Sequence, residues 1–303
     1  WNGVALDTPA LRGGGAGWLR LGPGALDDKA SLMAIFEAVE LLVGRGFEPR
    51  RTVYLAFGHD EEIGGWSGAK NLAGLLSTRT GRLAFVLDEG GAVVEGLVPG
   101  VNRPIAMLGV VEKGSVSVEL TVERTGGHSS MPPRHTAVGI LSRAITRLED
   151  HQMPARMTPV VEEMFGRLAP DMPMAMRLPL ANLWAFRPLL VRAMAGNERV
   201  GAMLRTTTAA TMVSGSPKEN VLPIVARAII NFRILPGDTP EQVLDHVRRV
   251  IGDTAVHVSV RGTPRPASPV SDHAAPPFAV LERTVGQLFP GAVQVPFLMI
   301  GGT

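Results

Sequence analysis

The chain has 303 residues, 45% hydrophobic and 19% charged, an ordinary balance for a globular protein with room for two domains and not the composition of a disordered chain. A formal charge of only +2 and the lack of a basic stripe exclude nucleic acid as an expected partner. With no cysteine there are no disulfides or thiolate metal sites, and the longest uncharged run, Val285 to Thr303, is interrupted by Pro290, Gly291 and Pro296, so no membrane span is expected.

The first stretch, Trp1 to Gly24, is Gly-rich and reads as a surface loop without a phosphate-binding spacing. Leu32, Ile35, Phe36, Val39, Leu42 and Val43 then recur at helical spacing, and Gly44 and Gly46 stop the helix. Either Asp27 or Asp28 can serve as its N-cap, which leaves the other free to act as a ligand.

Thr52 to Phe57 has the character of a buried strand and leads through Gly58 into His59, Asp60, Glu61 and Glu62. Consecutive carboxylates repel one another, so such a cluster at the end of an apolar strand reads either as a solvated acidic turn or as a site where a cation neutralises part of the charge. Trp66 to Leu76 reads as a helix, and Leu83 to Leu87 as a second strand running into Asp88 and Glu89. A βαβ unit of this kind would bring both acidic loops to one sheet edge, with Asp27, Glu61, Glu62 and Asp88 converging there.

Beyond Lys113 the pattern changes. Ser115 to Val122 alternates as a half-exposed strand, followed by the turn Gly126-Gly127-His128 and a helix from about Thr136 to Leu148. Ala226 to Leu235 and Val256 to Val260 read as strands around a helix at Pro240 to Ile251, which together suggest a small α+β domain inserted at 113–263. Its middle, about 150–205, is rich in Met, Pro and Leu and reads either as a helical subdomain with its own core or as an adaptable apolar wall for a greasy substrate. From about Ser268 the chain returns to the first domain, with a helix at Pro277 to Leu288 and a last strand at Val293 to Ile300. The first domain is thus expected at 1–112 and 264–303.

The blocks GPGALDDK, AFGHDEEIGG, VLDEGG, GGHSSMPP, ENVLP and NFRILPGD resemble the signature blocks of the di-zinc metallopeptidase family that includes carboxypeptidase S, glutamate carboxypeptidase, succinyl-diaminopimelate desuccinylase and the aminoacylases. The wording of ALDDK and VLDEGG is most similar to the carboxypeptidase S branch, whose members cleave or form N-acyl amino acids. The resemblance implies an α/β fold: a mixed-sheet zinc-peptidase catalytic domain carrying an inserted α+β, ferredoxin-like domain that closes over substrate and forms a homodimer. It implies two zinc ions per subunit, with Mn or Co as substitutes, held by Asp27, Glu62 and Asp88. Glu61 would be the general base, and His128, from the same or the partner subunit, would stabilise the oxyanion. Asn220 and Arg233 would hold the substrate's free carboxylate, for which a guanidinium fork is suited. The remaining histidines read as solvated or locally hydrogen-bonded.

The family pattern also has an H-x-D block upstream of ALDDK and a further His shortly after the closing Gly-Gly-Thr, so the chain reads as a piece of a longer protein. The three ligands within it are all carboxylates, a set that suits Mg, Ca or Mn better than zinc. The expected activity is hydrolysis of the amide bond of N-acyl amino acids or short peptides with a free carboxylate. A dipeptidase, a desuccinylase, or a non-catalytic relative that uses the fold for binding and dimerisation are the alternatives.

Overall fold

The computed structural model describes residues 4–5, 20–21, 28–61, 64–96, 98 and 100–301. The chain divides into two compact units, 1–84 with Thr303, and 85–302.

In the first unit, β1 (Val4–Ala5) pairs antiparallel with β2 (Arg20–Leu21), a short ladder within the stretch expected to be loop. Helix α1 (Lys29–Gly44) begins where Asp28 accepts a hydrogen bond from the Ser31 amide at 3.0 Å. That assigns the N-cap to Asp28, while Asp27 lies outside the described residues. Helix α2 (Ala69–Arg79) follows the acidic loop. The expected strand at 52–57 is not formed: these residues pair with no strand among the described residues, and Val53 and Tyr54 are exposed. The same holds for Leu83 to Leu87, where Val86 is exposed. The expected βαβ unit is therefore not formed among the described residues. β-branched and aromatic residues favour an extended backbone, but a ladder also needs a neighbour in register, which local propensity does not supply.

The second unit contains two sheets. One has the order β11-β4-β3, where β3 is Ala92–Val94, β4 is Ile105–Glu112 and β11 is Val293–Met299. β4 pairs antiparallel with β3 and parallel with β11, so the sheet is mixed. Ile105, Leu108, Val110 and Val111 of β4 share a core with Val295 and Leu298 of β11.

The other sheet has the order β10-β5-β9-β7, with β5 at Gly114–Glu123, β7 at Thr207–Ser214, β9 at Val225–Ile234 and β10 at His257–Arg265, every pair antiparallel. Helix α3 (Ala137–Asp150) joins β5 to the later strands, and helix α8 (Pro240–Ile251) joins β9 to β10. This βαββαβ order is the ferredoxin-like arrangement. The strict alternation of Val116, Val118, Leu120 and Val122 places these residues under α3 and α8 with Phe232, Ile140, Leu141 and Val247. Phe232 is fully buried, and truncating it to Ala should cost about 3–5 kcal/mol. Helix starts are set by side chains: Thr136 accepts from the Gly139 amide at 3.1 Å, and Thr239 and Gln242 form a reciprocal capping box at α8.

Between α3 and β7 the chain forms α4 (Pro159–Leu168), a short 3₁₀ turn at 169–171, α5 (Met174–Ala181), α6 (Leu183–Met194) and α7 (Glu198–Leu204). Of the two sequence-level alternatives for this stretch, a separate core is not what forms. Val160, Val161, Met164 and Phe165 of α4 share a core with β4 and β11, because the exposed apolar side of a three-stranded sheet needs a cover that the sheet itself lacks. Helix α9 (Pro276–Leu288) adds Phe278 to the same core.

Candidate functional site

Within the first unit, the acidic loop is held by its own backbone. Asp60 Oδ2 accepts from the Ser67 amide and Oδ1 from the Gly68 amide, both at 2.7 Å. The Ser67 amide is the main reason that its carboxyl is held below the usual carboxylate range, with further help from Gly68 and His59. The chain reverses through Gly64 (φ 105°) and Gly65 (φ 63°), where the Gly65 amide donates to the Asp60 carbonyl at 2.8 Å. A side chain on Gly68 would meet Asp60 Oδ1 at 2.4 Å, so only glycine permits this approach. Asp60 is thus accounted for by two amides and needs no cation. Nothing in a D-E-E sequence reveals which carboxylate turns to the backbone.

Glu61 differs. Its Oε1 is buried and has no hydrogen-bond partner among the described residues. An acceptor withheld from water and left without a donor fits a group kept for a proton rather than for the fold. Glu62 and Asp27, two of the three expected metal ligands, lie outside the described residues.

Within the second unit, Asp88 is exposed in the loop before β3, with Oδ1 accepting from the Glu89 amide at 3.0 Å. Among the described residues no group of three or more His, Asp or Glu side chains gathers as a metal cage. The expected convergence of carboxylates rests on Asp27 and Glu62, which lie outside the described residues.

His128 belongs to β6 (Gly127–His128), which pairs antiparallel with β8 (Val221–Leu222). These two short strands prolong the β5/β9 pair beyond Glu123 and Val225. The Ser130 amide donates to His128 Nδ1 at 3.2 Å, and Ser130 Oγ lies 2.8 Å from the same nitrogen. A backbone amide can only donate, so in the neutral ring Nδ1 is the acceptor and the proton sits on Nε2. The exposed imidazole therefore presents an N–H donor. Asn220 is adjacent: its carbonyl accepts from the Ser129 amide at 3.0 Å.

Arg233 is elsewhere. It lies opposite Ser115 of β5 and Thr207 of β7, eight residues along β9 from Val225, roughly 26 Å of strand. Within one chain, Asn220 and Arg233 cannot grip the same carboxylate. Asn220 and Arg233 thus lie toward opposite ends of β9.

Near Arg233 sits a residue that sequence reading passed over. Lys113, in the crossover between β4 and β5, is buried, and its Nζ donates to the carbonyls of Ala202 at 3.0 Å and Arg205 at 2.9 Å. Burial, followed by the nearby Arg233 charge, lowers its pKa to about 8, and Asp238 partly opposes them. Asp238 in turn pairs with Arg156 at 2.9 Å and accepts from the Thr206 hydroxyl. The available signal was a Glu-Lys pair between two apolar strand-like runs. Of the remaining histidines, His246 is buried and its Nε2 meets the His151 carbonyl at 2.8 Å, which fits a structural role. His273 bonds Glu163 of α4 across the chain, a distant partner where only local ones were expected.

The comparisons with known proteins agree with this architecture. Residues 110–259 match the family described as the peptidase dimerisation domain of the M20 peptidases. The chain is 41% identical over 285 residues to the N-fatty-acyl-amino acid synthase/hydrolase PM20D1 of Xenopus tropicalis, covering 93% of this chain and 55% of that protein. It is 40% identical over 286 residues to the probable carboxypeptidase S-like 2 of Dictyostelium discoideum, covering 93% and 54%. Among solved structures, it resembles the di-peptidase Dug1p of Saccharomyces cerevisiae with a TM-score of 0.57 at 14% identity, covering 92% of this chain and 60% of that one. The aminopeptidase PepT of Bacillus cereus gives 0.54 at 18% identity, covering 92% and 58%.

The fold is thus that of a peptidase with an inserted dimerisation domain. The chain belongs to the M20 peptidase family, in the branch of carboxypeptidase S and its relatives. That family implies a divalent metal. The chain spans just over half the length of the relatives it matches.

Proposed function

We propose that this chain is part of an amidohydrolase that cleaves the amide bond of N-acyl amino acids, or of short peptides with a free carboxylate, and that works as a homodimer. The observation that carries the reading is Glu61, whose buried Oε1 is left without a partner in a loop otherwise fixed by backbone hydrogen bonds. Glu61 takes a proton from the attacking water as its oxygen bonds to the scissile carbonyl carbon, and delivers it to the nitrogen as the C–N bond breaks. The products are a carboxylate and a free amine. A pair of divalent metal ions, when bound, would be held in part by Asp27, Glu62 and Asp88 and would supply an acidified water and a polarised carbonyl.

The separation along β9 supports a division of labour between subunits. Arg233 binds the substrate carboxylate in its own subunit's site, while His128 and Asn220 reach the partner's site, where the Nε2–H donates to the developing oxyanion. In this reading residues 113–263 are the lid and dimerisation domain, and 1–112 with 264–303 form the catalytic domain.

The names of the relatives favour N-acyl amino acids with long acyl chains, since PM20D1 is described as an N-fatty-acyl-amino acid synthase/hydrolase. The test is a panel of N-acyl amino acids, dipeptides and succinyl amines with the intact zinc-loaded protein. Hydrolysis of N-acyl amino acids that is abolished by Glu61→Gln is expected. No turnover of any amide would leave the chain a binding relative.

A further inference from the structure

Helices α5 and α6 bury very little. Each has one buried residue, Leu180 and Leu190, while Met174 (64%), Leu178 (55%), Trp184 (86%) and Leu189 (64%) face solvent. Exposed large apolar residues clustered this densely mark a surface that meets something other than water.

The charges on the pair identify what it meets. From Met172 to Asn197 there is no Asp or Glu, and the charged residues are Arg177, Arg187 and Arg192. Arg187 is turned back into the fold by Glu162 of α4, at 2.9 Å. Arg177 and Arg192 are exposed. Arg177 stands one turn beyond Met174 and beside Leu178, and Arg192 stands one turn beyond Leu189 and two beyond Trp184, so both cations share the outward side with the apolar residues. A second copy seated on this face would set arginine against arginine, with no carboxylate of the pair to answer them. An acidic lipid headgroup over an acyl layer answers both features. Trp and Leu enter the boundary, and long arginine stems keep their charge at the headgroups. The two helices are short, at 8 and 12 residues, and no described helix is long and apolar enough to cross a membrane, so a lipid contact of this pair would run along a surface.

We propose that the α5–α6 pair is a docking surface for an anionic lipid interface, with Trp184, Leu189, Leu178 and Met174 inserted at the acyl boundary and Arg177 and Arg192 on the headgroups. The inference stands independently of the catalytic reading. It is tested by cosedimenting the intact protein with vesicles of phosphatidylcholine, with and without phosphatidylglycerol. Binding is expected to the anionic vesicles, falling with salt. Trp184→Ala combined with Leu189→Ala should weaken it about tenfold or more, from the apolar area lost. Arg177→Gln with Arg192→Gln should remove the preference for phosphatidylglycerol, and since all four side chains are exposed, melting temperatures should stay near wild type. The proposal is overturned if neither vesicle binds, if the variants bind as well as wild type, or if Trp184→Ala instead changes the protein's mass in sedimentation velocity.

Discussion

The amide of Ser129 donates to the carbonyl of Asn220 at 3.0 Å, so the turn that carries His128 and the turn that carries Asn220 are one rigid feature at the tip of the four-stranded sheet. Arg233 stands at the other end of β9. If each active site draws on both ends, it must draw on two subunits. In the intact protein His128→Gln should lower kcat by about 10²–10³, the loss expected for one oxyanion donor. Mixing His128→Gln chains with Arg233→Ala chains should then restore activity, because each mixed dimer contains one site with both residues intact; about a quarter of wild-type activity is expected for random pairing. Mixed dimers that form and stay inactive would place His128 and Arg233 outside a shared site.

Glu61 and Glu62 should separate by metal content. Glu61→Gln removes a proton acceptor and should lower turnover by about 10²–10⁴ with zinc per chain unchanged. Glu62→Gln should lower zinc occupancy itself. The check is elemental analysis beside kcat for both variants; equal metal loss would end the assignment of Glu61 as base.

Arg233→Lys should weaken substrates with a free carboxylate far more than their amides, since an ammonium offers one point of charge where the guanidinium offers a planar fork. The ratio of kcat/KM for acid and amide substrates reads this directly. A common loss for both would make Arg233 a strand residue whose charge serves the sheet.

Three of the four strands of the inserted domain's sheet could be read from sequence because each carries its own instructions, whereas the edge strand β7 was not expected. Ser115 to Val122 alternates strictly, and its buried face then falls on Val116, Val118, Leu120 and Val122. The TPEQ start of α8 is a capping box in sequence and in structure. β4 was missed because it is buried nearly throughout, between a parallel and an antiparallel neighbour, so IAMLGVVE shows no alternation. Thr52 to Phe57 failed in the opposite sense: the residues favour a strand, and no partner among the described residues pairs with them. In the candidate site, the family resemblance pointed to Glu61 and His128, but the Nδ1 bond that fixes the His128 proton and the amides that occupy Asp60 depend on turns whose backbone geometry sequence does not encode locally.

Lys113 gives the last prediction. Its ammonium is buried against the carbonyls of Ala202 and Arg205, where it ties the end of α7 to the crossover between the two sheets. Its pKa is lowered from 10.5 to about 8, first by burial and then by Arg233, so the folded protein releases this proton before the unfolded chain does. Below about pH 8 both states hold the proton and the native state bears the full penalty, about 3 kcal/mol. As pH rises from 8 toward 10.5 the unfolded chain binds more protons than the native one, so stability increases across that window. Lys113→Met removes the titration but leaves two carbonyls without their donor, at about 1–3 kcal/mol each, so the two effects oppose each other at pH 7 and the net change there is small. The informative quantity is the difference in unfolding free energy between wild type and Lys113→Met, measured by urea denaturation at several pH values. It should move in favour of wild type by about 3 kcal/mol between pH 7.5 and 10.5, with other alkaline titrations cancelling in the subtraction. A flat difference would mean that the ammonium keeps its water and that α7 is held to the crossover by packing.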